Sequence, residues 1–356
     1  MRPLKEKLLG LIRETGPITL SQYMQMALLD PVCGYYITRD PLGRDFITAP
    51  EISQIFGELI GLFFVQAWED RGMPDRFHLV ELGPGRGTLM SDMLRASRIR
   101  PAFAAAAEIS LIEMSPALQA VQAATLGDAR VVWRRDFREV PDDAPLFLVA
   151  NEFFDALPVR QFIHGPRGWH ERMIGAEGDG LVFAAAPDPA PNETIPAALR
   201  DAPAGSVFEV SPASHRVTRE IVGRIVQHGG VALIVDYGHQ QTAIGDTFQA
   251  VKAQRYADPL AEPGEADLTF HVDFATLAHA AREAGAQTSA IVTQAEFLTA
   301  LGIGLRAERL KRESPENAES IDAAIDRLTN LTHMGSLFKV LALSAPHTPP
   351  LPGFPC

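Results

Sequence analysis

Two cysteines, Cys33 and Cys356, are all that this 356-residue chain contains, far apart and one of them at its last position. That excludes a disulfide framework and a cysteine zinc site, and it fits a reducing compartment. No run of about eighteen apolar residues occurs, so no membrane insertion through a spanning helix is expected. The longest apolar stretch, Leu59 to Ala67, is closed off by Glu58 and Glu69. Met1 to Thr15 alternates basic, acidic and apolar residues, which gives neither the apolar core of a signal peptide nor the acid-poor character of a transit peptide. A cytoplasmic location, and with it a bacterial setting, is the expectation. Also missing are the Gly-Lys-Ser/Thr end of a phosphate-binding Walker loop, the Gly-x-Ser-x-Gly elbow of hydrolases, any His/Cys/Asp spacing suited to a metal, and any internal repeat. A net charge of −12 argues against a nucleic-acid partner and suits a cationic one.

What is present centres on Leu79-Val80-Glu81-Leu82-Gly83-Pro84-Gly85-Arg86-Gly87-Thr88-Leu89. An apolar run ends in an acid and three alternating glycines follow, the pattern of a strand turning into a loop whose N–H groups approach a ligand at a helix N-terminus. A dinucleotide fingerprint needs a third glycine where Thr88 stands. Glu81 before the glycines suits a ligand with a cationic amino group. S-adenosylmethionine meets these conditions better than a pyrophosphate does, and a plain glycine turn is the alternative.

Around this loop the chain alternates short apolar runs with helical patterns, as in a parallel sheet covered on both faces. Strands are predicted at His78 to Leu82, Glu108 to Glu113, Val131 to Arg134, Leu146 to Ala150, Val231 to Asp236, Ser289 to Thr293 and Ser336 to Leu343. Thr19-Leu20-Ser21-Gln22 reads as a capping box opening a helix that stops near Asp30, ahead of Pro31. A second helix runs to about Asp70. Further helices are expected at Ser214 to Gln227, Asp273 to Ala284 and Gln294 to Leu331. Pro158 to Phe183 carries the alternation of an antiparallel excursion, with an Ala/Pro-rich exit to Ala204.

Polar residues gather where the strands end, which is where open parallel sheets bind ligands. Glu113 is placed to accept ribose hydroxyls, or to cap the turn at Ser115-Pro116. Asp136 and Phe137 could read and stack an adenine, or be a surface acid and a core ring. Asn151, Glu152 and Asp155, in Asn151-Glu152-Phe153-Phe154-Asp155-Ala156-Leu157-Pro158, put two carboxylates and an amide where a methyl acceptor would sit. Their alternative is to favour the positive end of a following helix. Asp236-Tyr237-Gly238-His239 is either one wall of that pocket or a strand-end turn. Asp273 is read as opening a helix, with His271 packed nearby rather than holding a metal. An arginine acceptor sharpens the logic: a guanidinium is protonated and weakly nucleophilic, and carboxylates orient it and offset its repulsion from a sulfonium.

These residues resemble the MidA-like S-adenosylmethionine-dependent methyltransferases, a family whose mitochondrial members are complex I assembly factors that methylate an arginine. The resemblance spans nearly the whole chain. It rests on Asp30-Pro31 with Gly34-Tyr35-Tyr36, Asp45 to Gln54, Glu81 to Gly87, Asn151 to Pro158, Asp236-Tyr237-Gly238, Asp258 to Phe274, and Met334 to Val340. It implies a doubly wound, seven-stranded class I (Rossmann-like) α/β sheet with an N-terminal helical segment and inserted elements. It also implies S-adenosylmethionine as cofactor and a protein arginine as acceptor, with a complex I subunit as the candidate protein. Gly83, Gly85 and Gly87 carry over as the cofactor loop, and Asn151, Glu152 and Asp155 as the acidic loop. Thr48 to Ser53, with Thr48 and Ser53 themselves as contacts, becomes a cover over the cofactor. The expected domains are 1–72 as helical segment and cover, 73–157 with 205–344 as methyltransferase domain, 158–204 as the inserted excursion and 345–356 as a loose Pro-rich tail. A small-molecule acceptor and a non-catalytic cofactor-binding chaperone are the competing functions. Methylation degree and oligomeric state, a homodimer included, stay open.

Overall fold

The structure, a computed structural model, describes residues 3–38 and 48–355. Asp45, Phe46 and Ile47 of the cover motif, and Cys356, lie outside the described residues. The chain divides into two compact units, one drawn from 1–46, 155–216 and 241–273, the other from 47–154, 217–240 and 274–356. Among the described residues no helix is long and apolar enough to cross a membrane.

In the first unit Thr19 caps the helix Leu20–Leu29 through a complete capping box, its side chain accepting from the Gln22 N–H while Gln22 answers at the Thr19 backbone. Strands Ile18–Thr19, Gly168–Glu177, Arg160–Gly165 and Val207–Val210 form an antiparallel sheet in that order, with Gly180–Ala185 beside Gly168–Glu177. Leu4, Leu8, Leu20, Tyr23, Tyr35, Ile174 and Phe270 belong to the core of this unit. A small sheet of Arg255–Ala257, Gln249–Lys252 and Asp267–Thr269 completes it, three strands that the sequence pattern did not reveal.

The second unit carries the larger sheet. We number its strands β1 (Phe77–Leu82), β2 (Ala107–Ile112), β3 (Val131–Arg134), β4 (Leu146–Asn151), β5 (Gly230–His239), β6 (Gln287–Thr288), β7 (Val292–Thr293) and β8 (Phe338–Ser344). The spatial order is β6-β8-β5-β4-β1-β2-β3, with β7 also on β8. Strands β1 to β5 pair in parallel, whereas β8 runs antiparallel to β5, which makes the sheet mixed. β1 and β4 are buried along their whole length, which is why they read as unbroken apolar runs rather than alternation.

Helix α1 (Gln54–Glu69) is buried over most of its circumference and packs on α2 (Thr88–Ser97), the helix that follows the glycine loop. The approach is close: a Cβ on Gly61 would lie 2.7 Å from the Met93 backbone. Glu58, in the interior of this helix, is buried and accepts from Arg95 (3.0 Å) and Arg306 (2.7 Å). Residues 48–72, grouped by the sequence reading with the N-terminal helices, therefore pack with the sheet, and 205–216 and 241–273 pack with the N-terminal helices instead. A helix apolar on nearly every side needs cover all round, and the sheet unit provides it.

Three elements depart from expectation. The long C-terminal helix is broken into Gln294–Ala300, Ile303–Glu313 and Ala318–Thr329, with Gly302 in a left-handed conformation at one break and Pro315 at the other. The strand at 289–293 is split, because Ser289 leaves the ladder to exchange bonds with Ala342 through backbone and side chain. Residues 345–355 are no loose tail: Leu351 and Phe354 pack on the core, the latter's ring 5.2 Å from that of Phe297 and 6.5 Å from that of Phe63. Two apolar side chains among the prolines outweigh the disordering effect of that composition.

Candidate active site

The glycine loop leaves β1 with Gly83, Gly85 and Gly87 at φ of +61°, +54° and +81°, a left-handed path that other residues adopt only under strain. Gly87 caps α2, and Gly83 donates its N–H to the Ile112 carbonyl at the end of β2. Gly83 is also where another part of the chain comes near: a Cβ there would lie 3.1 Å from the Phe153 ring. Glu81, the acid before the turn, is buried. Loss of solvation pushes its carboxyl up to about 8, and a backbone hydrogen bond from Met90 opposes this. Its Oε2 has no hydrogen-bond partner among the described residues.

Glu113 follows β2 and is nearly buried, its carboxyl raised chiefly by desolvation. One oxygen accepts from the Ser115 N–H (2.7 Å) and the other from Gln122 Nε2 (3.1 Å). Gln122 was not foreseen. Fully buried, it also donates to the Gly85 carbonyl (2.8 Å) and accepts from Trp133 Nε1 (2.9 Å), so it joins the glycine loop to Glu113. A sequence signal existed, since Gln122 lies on the stripe Leu118, Gln122, Leu126, the buried face of its helix. Asp136 caps the short turn at Phe137 and holds Arg138 through Nε (2.8 Å) and Nη2 (2.5 Å). Phe137 is buried, with the Arg224 guanidinium 4.4 Å over its ring.

Thr48 to Ser53 borders the loop. Thr48 precedes the short helix Ala49–Ile52 and makes no side-chain cap, whereas the Ser53 hydroxyl accepts from the Ile55 N–H at the start of α1 (3.3 Å). Glu51 accepts a 2.5 Å hydrogen bond from Thr88, the first residue of α2, and the Ala49 N–H donates to Glu152 Oε1 (3.2 Å). The segment thus touches the glycine loop's helix at one end and the acidic loop at the other.

In that acidic loop Glu152 is half-buried and adopts a φ of +50°, uncommon outside glycine and costing about 1 to 2 kcal/mol. Its N–H continues the β4–β5 ladder to Val235 (2.9 Å), and its Oε1 also accepts from Asn151 Nδ2 (3.2 Å). Asn151 is buried, and its Oδ1 has no hydrogen-bond partner among the described residues. Asp155 belongs to the first unit, where it is buried and its carbonyl accepts from the Phe270 N–H (3.1 Å). In that unit Tyr36 donates to Asp267 (2.6 Å). Its hydroxyl pKa is raised well above the usual value by burial first, then by Asp267 and Asp155. The His271 N–H donates to Thr247 (2.9 Å), and the helix Phe274–Glu283 begins directly after Asp273. Among the described residues no group of three or more His, Cys, Asp and Glu is arranged to hold a metal ion.

Left-handed glycines, a buried acid with an unsatisfied oxygen and a second buried acid one strand over are features that a nucleoside-type cofactor would call for in an α/β sheet. The residues fit S-adenosylmethionine: a cationic amino group would relieve Glu81, and Glu113 offers carboxylate oxygens to hydroxyls. Residues 59–292 match the family described as "Putative S-adenosyl-L-methionine-dependent methyltransferase", and the chain belongs to that family. It is 39% identical to the mouse "Protein arginine methyltransferase NDUFAF7, mitochondrial" over 97% of this chain and 85% of the relative. To the human protein of the same name it is 38% identical, over 97% and 84%. A crystal structure from Burkholderia thailandensis bound to S-adenosyl-homocysteine superposes with a TM-score of 0.86 at 28% identity, covering 98% of this chain and 94% of that one. The fold is accordingly that of the α/β methyltransferases, with a large mixed sheet, and S-adenosylmethionine is the cofactor. The expected bacterial cytoplasmic setting is overturned by the curated relatives, which are mitochondrial proteins by name. That expectation rested on composition near the first residue, which constrains location weakly.

Proposed function

We propose that this protein transfers a methyl group from S-adenosylmethionine to an arginine of a protein substrate, with a respiratory complex I subunit as the acceptor, and that β6 to β3 constitute the seven-stranded, doubly wound class I framework. Bound S-adenosylmethionine supplies an electrophilic methyl group on a sulfonium. The chain's own residues bind and orient. Glu81 and the glycine loop hold the amino acid part, Glu113 the ribose, and Asp136 and Phe137 the adenine end, with Thr48 to Ser53 as cover. Glu152 accepts N–H groups of the guanidinium, draws its positive charge away from the attacking nitrogen and offsets repulsion between two cations. Asn151 keeps the Glu152 carboxylate aimed.

The observation that carries this reading is Glu152 itself. A half-buried carboxylate in a strained conformation is held by the Ala49 N–H and the Asn151 amide, beside the segment that borders the glycine loop. Backbone strain of this kind concentrates at functional positions. With labelled cofactor, wild-type protein should place methylarginine on a protein in extract from cells lacking the gene, and Glu152→Gln should lower the rate by about a hundredfold while S-adenosyl-homocysteine affinity stays within about threefold. A Glu152→Gln enzyme with full activity sinks the assignment. Label in metabolites alone would replace the protein acceptor with a small one.

A further inference from the structure

Asp236 has no exposed surface and lies near the end of β5. Its Oδ2 accepts from the N–H groups of Phe153 (3.2 Å) and Phe154 (2.9 Å), and its Oδ1 from the Tyr237 N–H (2.9 Å). With the Glu152 N–H given to the Val235 carbonyl, three successive backbone donors of the loop after β4 end on two adjacent residues of β5. A residue in the left-handed region followed by converging N–H groups makes an anion-binding nest. Here the anion is a side chain from the neighbouring strand.

We propose that Asp236 is a positioning residue for methyl transfer: by clamping the N–H groups of Phe153 and Phe154 it holds Glu152 in the left-handed conformation that presents its carboxylate to the acceptor. The proposal rests on the reading of Glu152 as the acceptor-binding acid. The chemistry of the clamp requires an anion. One oxygen accepts two donors while the other accepts a third. An amide in its place would turn an N–H₂ group toward a backbone N–H. Without the clamp the bonds from Ala49 and Asn151 to the Glu152 carboxylate and from its N–H to Val235 are left to offset the cost of φ +50°, and the loop relaxes toward ordinary backbone. The same clamp keeps the Phe153 ring against Gly83, so the acidic loop and the cofactor loop are registered by one carboxylate.

The test is a cycle of Asp236→Asn, Glu152→Gln and the double variant. It is read by the initial rate of labelled methyl incorporation into protein of extract from cells lacking the gene, by S-adenosyl-homocysteine affinity and by thermal melting. Asp236→Asn should lower the rate by about ten- to a hundredfold, as a misplaced group does, with homocysteine-product affinity within about threefold of wild type. Added to Glu152→Gln it should cause no further loss on the residual rate, because a residue acting through Glu152 has nothing left to position. A wild-type rate for Asp236→Asn, or losses that multiply in the double variant, overturns the proposal. If Asp236→Asn does not fold, Asp236→Glu, which keeps the charge and displaces it by one methylene, is held to the same outcomes. Full activity in Glu152→Gln overturns the acceptor reading and this proposal together. It is distinct from failure of the clamp alone, in which Glu152→Gln is slow and Asp236→Asn is not.

Discussion

Glu81 shows how one side chain reports on its surroundings. Its carboxyl is raised by burial to about 8, against an ordinary value of 4.5, so the folded protein holds a proton that the unfolded chain releases. The stability associated with the protonated form is fully present below about 4.5 and is lost as pH rises toward 8. Glu81→Gln, which cannot ionise, should leave the melting temperature of ligand-free protein nearly unchanged at pH 5 and raise it progressively up to pH about 8. Parallel melting curves for the two proteins across that range would contradict the assignment of the proton. The glycines, Glu81 and the polar loop after β4 were legible in the sequence because each is a local pattern of residue types. Gln122 was not, and Asp236 was legible only as an acid near a strand end, a pocket wall or a turn, since the partners of both lie across the fold: Gln122 meets Gly85, 37 residues away, and Asp236 meets Phe153 over 83.

Elements follow the same division. β3 was read at its observed bounds and β1, β2 and β4 to within a residue or two, because β1 and β4 are buried apolar runs bounded by polar turns and the half-exposed edge strand β3 carries the β-branched and aromatic run Val131-Val132-Trp133. The three-stranded sheet at 249–269 escaped notice, its strands being short and mixed in character. At the glycine loop, Gly83→Ala should cost about 1 kcal/mol through backbone strain alone. It should also weaken cofactor affinity by at least about tenfold, because the added methyl must displace the Phe153 ring from its 3.1 Å approach. Calorimetric titration with S-adenosyl-homocysteine checks this, and unaltered affinity would show that the loop yields freely. At the C-terminal segment, Phe354→Ala should destabilise the second unit by about 1 to 2 kcal/mol by removing a partly buried ring from Phe63 and Phe297. A denaturation midpoint equal to wild type would mean that the segment packs without stabilising.

For the molecule as a whole, the net charge of −12 sets the long-range field met by a basic acceptor. Association with an arginine-bearing protein should weaken as ionic strength rises from 0.05 to about 0.5 M, with a several-fold increase in KM and little change in kcat. Steady-state rates on the identified acceptor would test this, and a KM indifferent to salt would confine recognition to short-range contacts.

The order of apolar runs, the glycine turn and the acids at strand ends determined the class of fold and its cofactor, because they depend on neighbours within a few residues along the chain. Which residues group into each unit, that the last residues pack on the core, and that a buried aspartate on β5 grips the loop bearing Glu152 were decided only by folding. Those facts depend on distances in space between segments far apart in sequence, and no periodicity or spacing encodes them.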